Sequence, residues 1–79
     1  MNSYFQTSCS VLAATLLTLG YKLDSLDRTK DPHRVEFLFI RDEGIDEAIQ
    51  MFHRSEIQVE PQLFHSHQKI LKTRLFASQ

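Results

Sequence analysis

The chain has 79 residues, 42% hydrophobic and 24% charged, which predicts one small folded domain with a thin core and excludes a disordered chain. Nine Lys and Arg residues against ten Asp and Glu residues give a net charge of −1, which excludes a global electrostatic attraction to nucleic acids or anionic membranes. The single cysteine excludes an internal disulfide, so we expect a cytoplasmic protein.

The first predicted element is a helix over residues 7–19. Thr7 or Ser8 can accept a hydrogen bond from a free N–H group at its start, and Gly20 can adopt the left-handed conformation that ends it. One face is apolar and predicts a core helix; its residues are Cys9, Leu12, Ala13, Leu16 and Leu19. We expect Cys9 to be a buried thiol. The stretch is too short to span a bilayer and lacks the basic start of a signal peptide.

The opposite face of this helix carries no charge, which is unusual for a helix that faces water. Its residues are Ser10, Val11, Ala14, Thr15 and Thr18. These small side chains let another helix approach closely, and the preceding Tyr4 and Phe5 are of residue types enriched in protein interfaces. We predict that these seven residues bind a protein partner, either a second copy or a larger protein. The alternative is that another segment of the chain covers this face.

Two strands are predicted over residues 21–27 and 35–41. β-Branched and aromatic residues dominate the second run, and its side chains alternate between two faces. Asp31 and Pro32 lie between the runs and are typical of a turn. The connection is short, so we expect an antiparallel hairpin with one apolar face covered by helices.

Two further helices are predicted over residues 44–54 and 61–76. Asp42 can cap the first. Pro61 can open the second, because an N–H group at the first position of a helix has no partner within the helix and proline loses nothing by lacking one. The predicted fold is therefore a single α+β domain with the order helix–strand–strand–helix–helix. Its two-stranded antiparallel hairpin packs against the helices.

The last helix carries basic residues on its solvent side and no acidic residue. With the hairpin loop it predicts a small patch that can contact the phosphates of a nucleic acid. The patch consists of His65, Lys69 and Lys72 of the helix and Lys30, His33 and Arg34 of the loop. The alternative is a solvated face, because no aromatic residue is interleaved for base stacking. His67 and Arg74 lie between two apolar ridges and predict either an anion site or an internal pair.

No arrangement of residues predicts catalysis. Cys9 lies on the apolar face of its helix, and His65 and His67 point in different directions, which disfavours a metal site. Asp46 and Glu47 fall in a first helical turn, where acids stabilise the helix dipole. We expect no catalytic residue, no cofactor and no metal ion, and the small size leaves little room for an active-site cleft.

Several segments together resemble a family of small bacterial and phage proteins of unknown function. The similarity covers nearly the whole chain and is carried by residues 5–8, the helix ending at residues 19–21, and residues 34–39, 52, 59–61 and 71–76. The resemblance implies a compact helix–hairpin–helix domain, often encoded near phages or mobile elements, with no activity or catalytic residue to carry over. The family's sequences carry a Lys-x-Arg pair near their end, and this pair corresponds to Lys72 and Arg74.

The charges are dipolar rather than uniformly basic. Residues 43–60 carry five acids and one base, whereas residues 61–79 carry three bases and no acid. We therefore expect a non-enzymatic protein-interaction module that docks on a larger protein or on a nucleic-acid-processing complex, for example as an inhibitor or an adaptor. The alternative is a small accessory protein that binds nucleic acid through the basic patch.

Overall fold

The computed structural model describes residues 3–31 and 34–77, and it has an α+β fold, as predicted. Within the described residues there are three strands and three helices. In chain order they are β1 (Tyr4–Thr7), α1 (Ser10–Thr18), β2 (Leu23–Asp31), β3 (Arg34–Ile40), α2 (Ile45–His53) and α3 (Pro61–Ala77). The predicted hairpin and the last two helices are present, with bounds that differ by a few residues.

The sheet has three strands rather than the two that were predicted. Its order is β1-β3-β2, with both outer strands antiparallel to β3. Phe5 in β1 and Leu23 in β2 both lie opposite Phe39 in β3, so these side chains share one face of the sheet. The prediction missed β1 because four residues give almost no alternation to detect, and because its pairing with β3 is distant in sequence.

Helix α1 begins three residues later than predicted. Residues 4–7 form β1, so the chain turns before the helix, and Cys9 becomes the residue that caps it. The Cys9 Sγ accepts a hydrogen bond from the Leu12 N–H group at 3.5 Å, and the Thr7 hydroxyl accepts one from the Cys9 N–H group at 3.1 Å. Cys9 is consequently exposed, so the prediction of a buried thiol is wrong.

The hydrophobic core joins all three helices to one face of the sheet. Its buried members are Leu12, Ala13, Ala14, Leu16, Phe37, Phe39, Ile45, Ala48 and Leu71. The shortest dimension of the domain is 19 Å, which fits a sheet with one layer of helices, since packed layers lie about 10 Å apart. The helices therefore cover one face of the sheet.

The ends of the helices are set by short-range interactions. Pro61 opens α3 as predicted, and the preceding Glu60 carboxylate accepts a hydrogen bond from the Leu63 N–H group at 2.7 Å. At α2, by contrast, the cap is Gly44 in a left-handed conformation without a side-chain hydrogen bond, rather than Asp42. Near the other end of α3, the Arg28 guanidinium of β2 donates to the Leu75 carbonyl at 2.5 Å, which ties the sheet to this helix.

Candidate interaction surfaces

The uncharged face of α1, which was predicted to bind a partner, is buried within the chain at its centre and exposed at its start. Ala14 is 0% exposed and Thr15 is 3% exposed, so the prediction is wrong for these two residues. Helix α3 packs along α1, and Ser10, one turn before Ala14, borders Leu71 and Leu75 of α3. The small side chains do allow close approach by a helix, but that helix belongs to the same chain.

The rest of the predicted partner site divides between covered and open residues. Phe5 packs against the core, which removes it from the site, and Thr18 is half-buried with its hydroxyl donating to the Ala14 carbonyl at 2.7 Å. Ser10 and Val11 are exposed at the start of α1. Tyr4 is 39% exposed and lies on a different surface, the sheet. The seven residues therefore do not form one site.

A second surface lies on the face of the sheet away from the helices. Tyr4 of β1 lies opposite Ile40 of β3. Leu38 precedes Ile40 by two residues and therefore lies on the same face of β3. Leu38 and Ile40 are half-buried, and they point away from the core residues Phe37 and Phe39 that alternate with them. We call Tyr4, Leu38 and Ile40 the outer sheet patch. Among the described residues, neither Leu38 nor Ile40 belongs to the hydrophobic core or to the side chains that pack against it, so the helices lie on the other face.

Polar residues surround the outer sheet patch. Gln6 of β1 and Ser25 of β2 both pair with Leu38, one on each side. At one end, two acids, Asp27 and Glu36, lie opposite each other on neighbouring strands. An apolar centre with a polar rim is the usual composition of a protein-binding surface.

Sequence reasoning identified Tyr4 but missed Leu38 and Ile40. A signal was present, because residues 37–40 of β3 are all apolar, so both faces of the strand are apolar in its second half. A strand with one solvated face normally carries polar residues there. Leu38 and Ile40 therefore violate that pattern on a face that the helices leave open.

The predicted basic patch is only partly assembled. His65, Lys69 and Lys72 are exposed together on the outer side of α3, as expected from their spacing. Arg34 is instead engaged, because its Nε and one terminal nitrogen donate to the Ser8 hydroxyl at 3.0 and 2.9 Å. The Lys30 and His33 side chains lie outside the described residues.

His67 and Arg74, the proposed anion pair, are both half-buried on the inner side of α3. Arg74 already has an interaction partner within the chain. This arrangement favours the internal-pair interpretation over the anion site.

Two shallow apolar depressions flank the connector between α2 and α3 and share Ile57. One has a volume of about 370 Å³ and borders Tyr21 and Glu47, and the other has about 500 Å³ and borders His53 and Ser55. No hydrogen bond joins His53 to Ser55 among those of the described residues. Neither depression brings an acid, a base and a nucleophile into mutual contact.

Across residues 3–31 and 34–77, no three His, Cys, Asp or Glu side chains come together in a way that can hold a metal ion. Among the helices in these two segments, none has both the length and the apolar character that crossing a bilayer requires.

Comparison with known proteins identifies the family of the chain. The family described as "Domain of unknown function (DUF5659)" matches residues 2–77. The chain belongs to this family. The resemblance inferred from the sequence is thereby confirmed at the level of a domain of unknown function. No curated protein and no solved structure matches the chain.

Proposed function

We propose that this protein is a non-enzymatic interaction module that docks on a protein partner through its outer sheet patch. One observation carries the proposal: an antiparallel sheet that is covered by helices on one face presents Tyr4, Leu38 and Ile40 on the other. Burying a side chain such as Leu or Ile removes an unfavourable contact with water worth about 1.5–3 kcal/mol when burial is complete. The hydrophobic effect therefore favours binding of a partner over the patch.

The size of the patch indicates what kind of partner fits. Strands lie about 4.8 Å apart and rise about 3.4 Å per residue, so the fully paired part of the sheet offers roughly 200 Å² of face. A stable interface needs about 800 Å² on each side. The patch alone is too small for a tight symmetric dimer, and it suits a larger protein that also contacts the polar rim.

The wider role follows from the family resemblance. We propose that the protein works in the cytoplasm, in a phage or mobile-element context, as an inhibitor or an adaptor of a larger complex. The support for this step is the resemblance itself and the absence of predicted catalytic residues in the sequence. Docking through an apolar patch is compatible with either role.

A nucleic-acid-binding accessory role is the second candidate. It is favoured by His65, Lys69 and Lys72, which are exposed side by side on α3. Three cations release few counterions, and the chain as a whole carries a net charge of −1, so we expect at most weak binding with a shallow dependence on salt. Protein docking therefore remains the preferred proposal.

Replacing Leu38 by Lys tests the preferred proposal. We expect capture of the protein partner from the native host to fall at least about tenfold, because a cation replaces an apolar contact at the centre of the interface. The matched control is Val11→Lys, which places the same charge on the exposed start of α1. Quantitative mass spectrometry of co-purified proteins, with circular dichroism to verify folding, measures both variants.

The two variants also separate the competing surfaces. If wild type and Leu38→Lys captured the partner equally and Val11→Lys lost it, the partner site would lie on α1 instead of on the sheet. Loss in neither variant would remove both surfaces from the interaction.

A further inference from the structure

Helix α3 presents a second apolar surface that is separate from the outer sheet patch. Its inner side is anchored by Leu71, which is buried, and by Phe64 and Leu75, which pack against the core. On its outer side, Leu63 is 53% exposed and Ile70 is 50% exposed. Two large apolar side chains two turns apart are unusual on a solvated helix.

These residues belong to a continuous uncharged line along the helix. The line consists of Leu63, Ser66, Ile70 and Thr73, which we call the α3 stripe. The spacing of three and four residues places them on one side of the helix. Thr73 donates its hydroxyl to the Lys69 carbonyl at 3.1 Å, so its polar group is satisfied within the helix. Ser66 and Thr73 are small enough to let a second helix approach between the larger side chains.

Along α3 itself the charge beside the stripe is positive, whereas Glu60, which precedes the helix, caps it by accepting a hydrogen bond from the Leu63 N–H group. Lys69 and Lys72 are exposed next to it, together with His65, and residues 61–77 contain no Asp or Glu. A second copy of α3 laid along the stripe would bring these cations together, and like charges in close contact oppose association. A helix with acidic residues beside its apolar positions would instead be complementary in both charge and hydrophobicity.

We propose that the α3 stripe binds an amphipathic helix with acidic flanks from a partner protein. The apolar positions of that helix pack on Leu63 and Ile70, and its carboxylates face Lys69 and Lys72. This surface adds a binding site to the one on the sheet and does not depend on it. A domain with two docking surfaces can join two proteins, which is what an adaptor does.

A synthetic helical peptide tests the proposal on the full chain. A peptide of about 18 residues spans about 27 Å at about 1.5 Å per residue and matches the length of α3, which has 17 residues. The probe carries Leu at the positions that face the stripe and Glu on both sides of them. One control peptide replaces every Glu by Lys, and another replaces every Leu by Ser. Fluorescence anisotropy reports the dissociation constants.

We expect the acidic peptide to bind at least about tenfold more tightly than either control peptide, since both the charge and the apolar surface contribute. Ile70→Ser weakens this binding about tenfold, whereas Val11→Ser, at an exposed apolar position of α1, leaves it unchanged. Lys69→Glu combined with Lys72→Glu weakens it and reverses its dependence on salt between about 50 and about 500 mM, because salt then screens a repulsion instead of an attraction. The control for charge is Lys22→Glu, which leaves it unchanged.

Three results would overturn the proposal. The first is equal binding of the acidic and the Lys-substituted peptide. The second is tighter binding of single- or double-stranded oligonucleotides that is lost in the Lys69 and Lys72 variant but is insensitive to Ile70→Ser, which would assign the surface to nucleic acid. The third is concentration-dependent dimerisation in sedimentation that Ile70→Ser abolishes, which would assign it to a second copy. Leu38→Lys leaves peptide binding intact, so failure of the sheet proposal is a separate result.

Discussion

Replacing Ala14 by Glu is expected to destabilise the domain by about 3–5 kcal/mol. Ala14 is fully buried in α1, and α3 packs along this helix, so the longer side chain has no space and its carboxylate has no partner. An uncompensated buried charge costs about 3–5 kcal/mol. A domain of 79 residues has about 4–12 kcal/mol of stability at about 0.05–0.15 kcal/mol per residue, so the substitution removes between about a quarter and all of it. Thermal and urea denaturation followed by circular dichroism measures the change.

The matched control for this substitution is Val11→Glu, one turn earlier on the same helix. Val11 is 47% exposed, and an acid near the start of a helix interacts favourably with its dipole, so we expect a change within about 1 kcal/mol. If Ala14→Glu were as stable as Val11→Glu, the uncharged face of α1 would be open to solvent. The surface first predicted from the sequence would then be available to a partner.

Replacing Phe39 by Ala is expected to destabilise the fold by about 3–5 kcal/mol, the usual cost of removing a buried aromatic side chain. Phe39 is fully buried at the centre of β3, where the side chains of β1 and β2 meet it. The adjacent Ile40 points to the other face, and Ile40→Ala should cost about 1 kcal/mol because its side chain is only half-buried. Equilibrium unfolding in urea measures both losses.

The ratio of the two losses reports how the sheet is covered. A large loss at Phe39 with a small loss at Ile40 is expected if helices lie on one face. Similar losses at both positions would show that the second face is also packed, and the outer sheet patch would then be a core surface rather than a docking surface.

Much of the fold was predictable because local patterns determine it. Pro61 marks the start of α3, and the spacing of Phe64, Leu71 and Leu75 identifies its buried side. Gly20 and Gly44 adopt the positive φ angles that end or begin helices. Each of these features depends on residues that are close in sequence, which is the range over which periodicity and capping act.

The location of the open surfaces was harder to predict because it depends on contacts between distant segments. The pattern of Ala14 and Thr15 shows that a helix can approach α1, but it does not say whether that helix is α3 or a partner. Likewise, the alternation in β3 shows two apolar faces, but only the packing of the helices decides which of them is left open. Tyr4 was recognised by its chemistry alone, and its position beside Ile40 required the pairing of β1 with β3.

Site-specific cross-linking from Tyr4 tests the central claim, that the outer sheet patch docks a protein partner, most directly. A photoreactive phenylalanine analogue fits this exposed aromatic position, and Gln50 on the exposed side of α2 is the control position. In cells of the native host, we predict a discrete cross-linked protein from position 4 that is absent from position 50 and that disappears in the Leu38→Lys variant. The same product from both positions, or a product that survives Leu38→Lys, would contradict the claim.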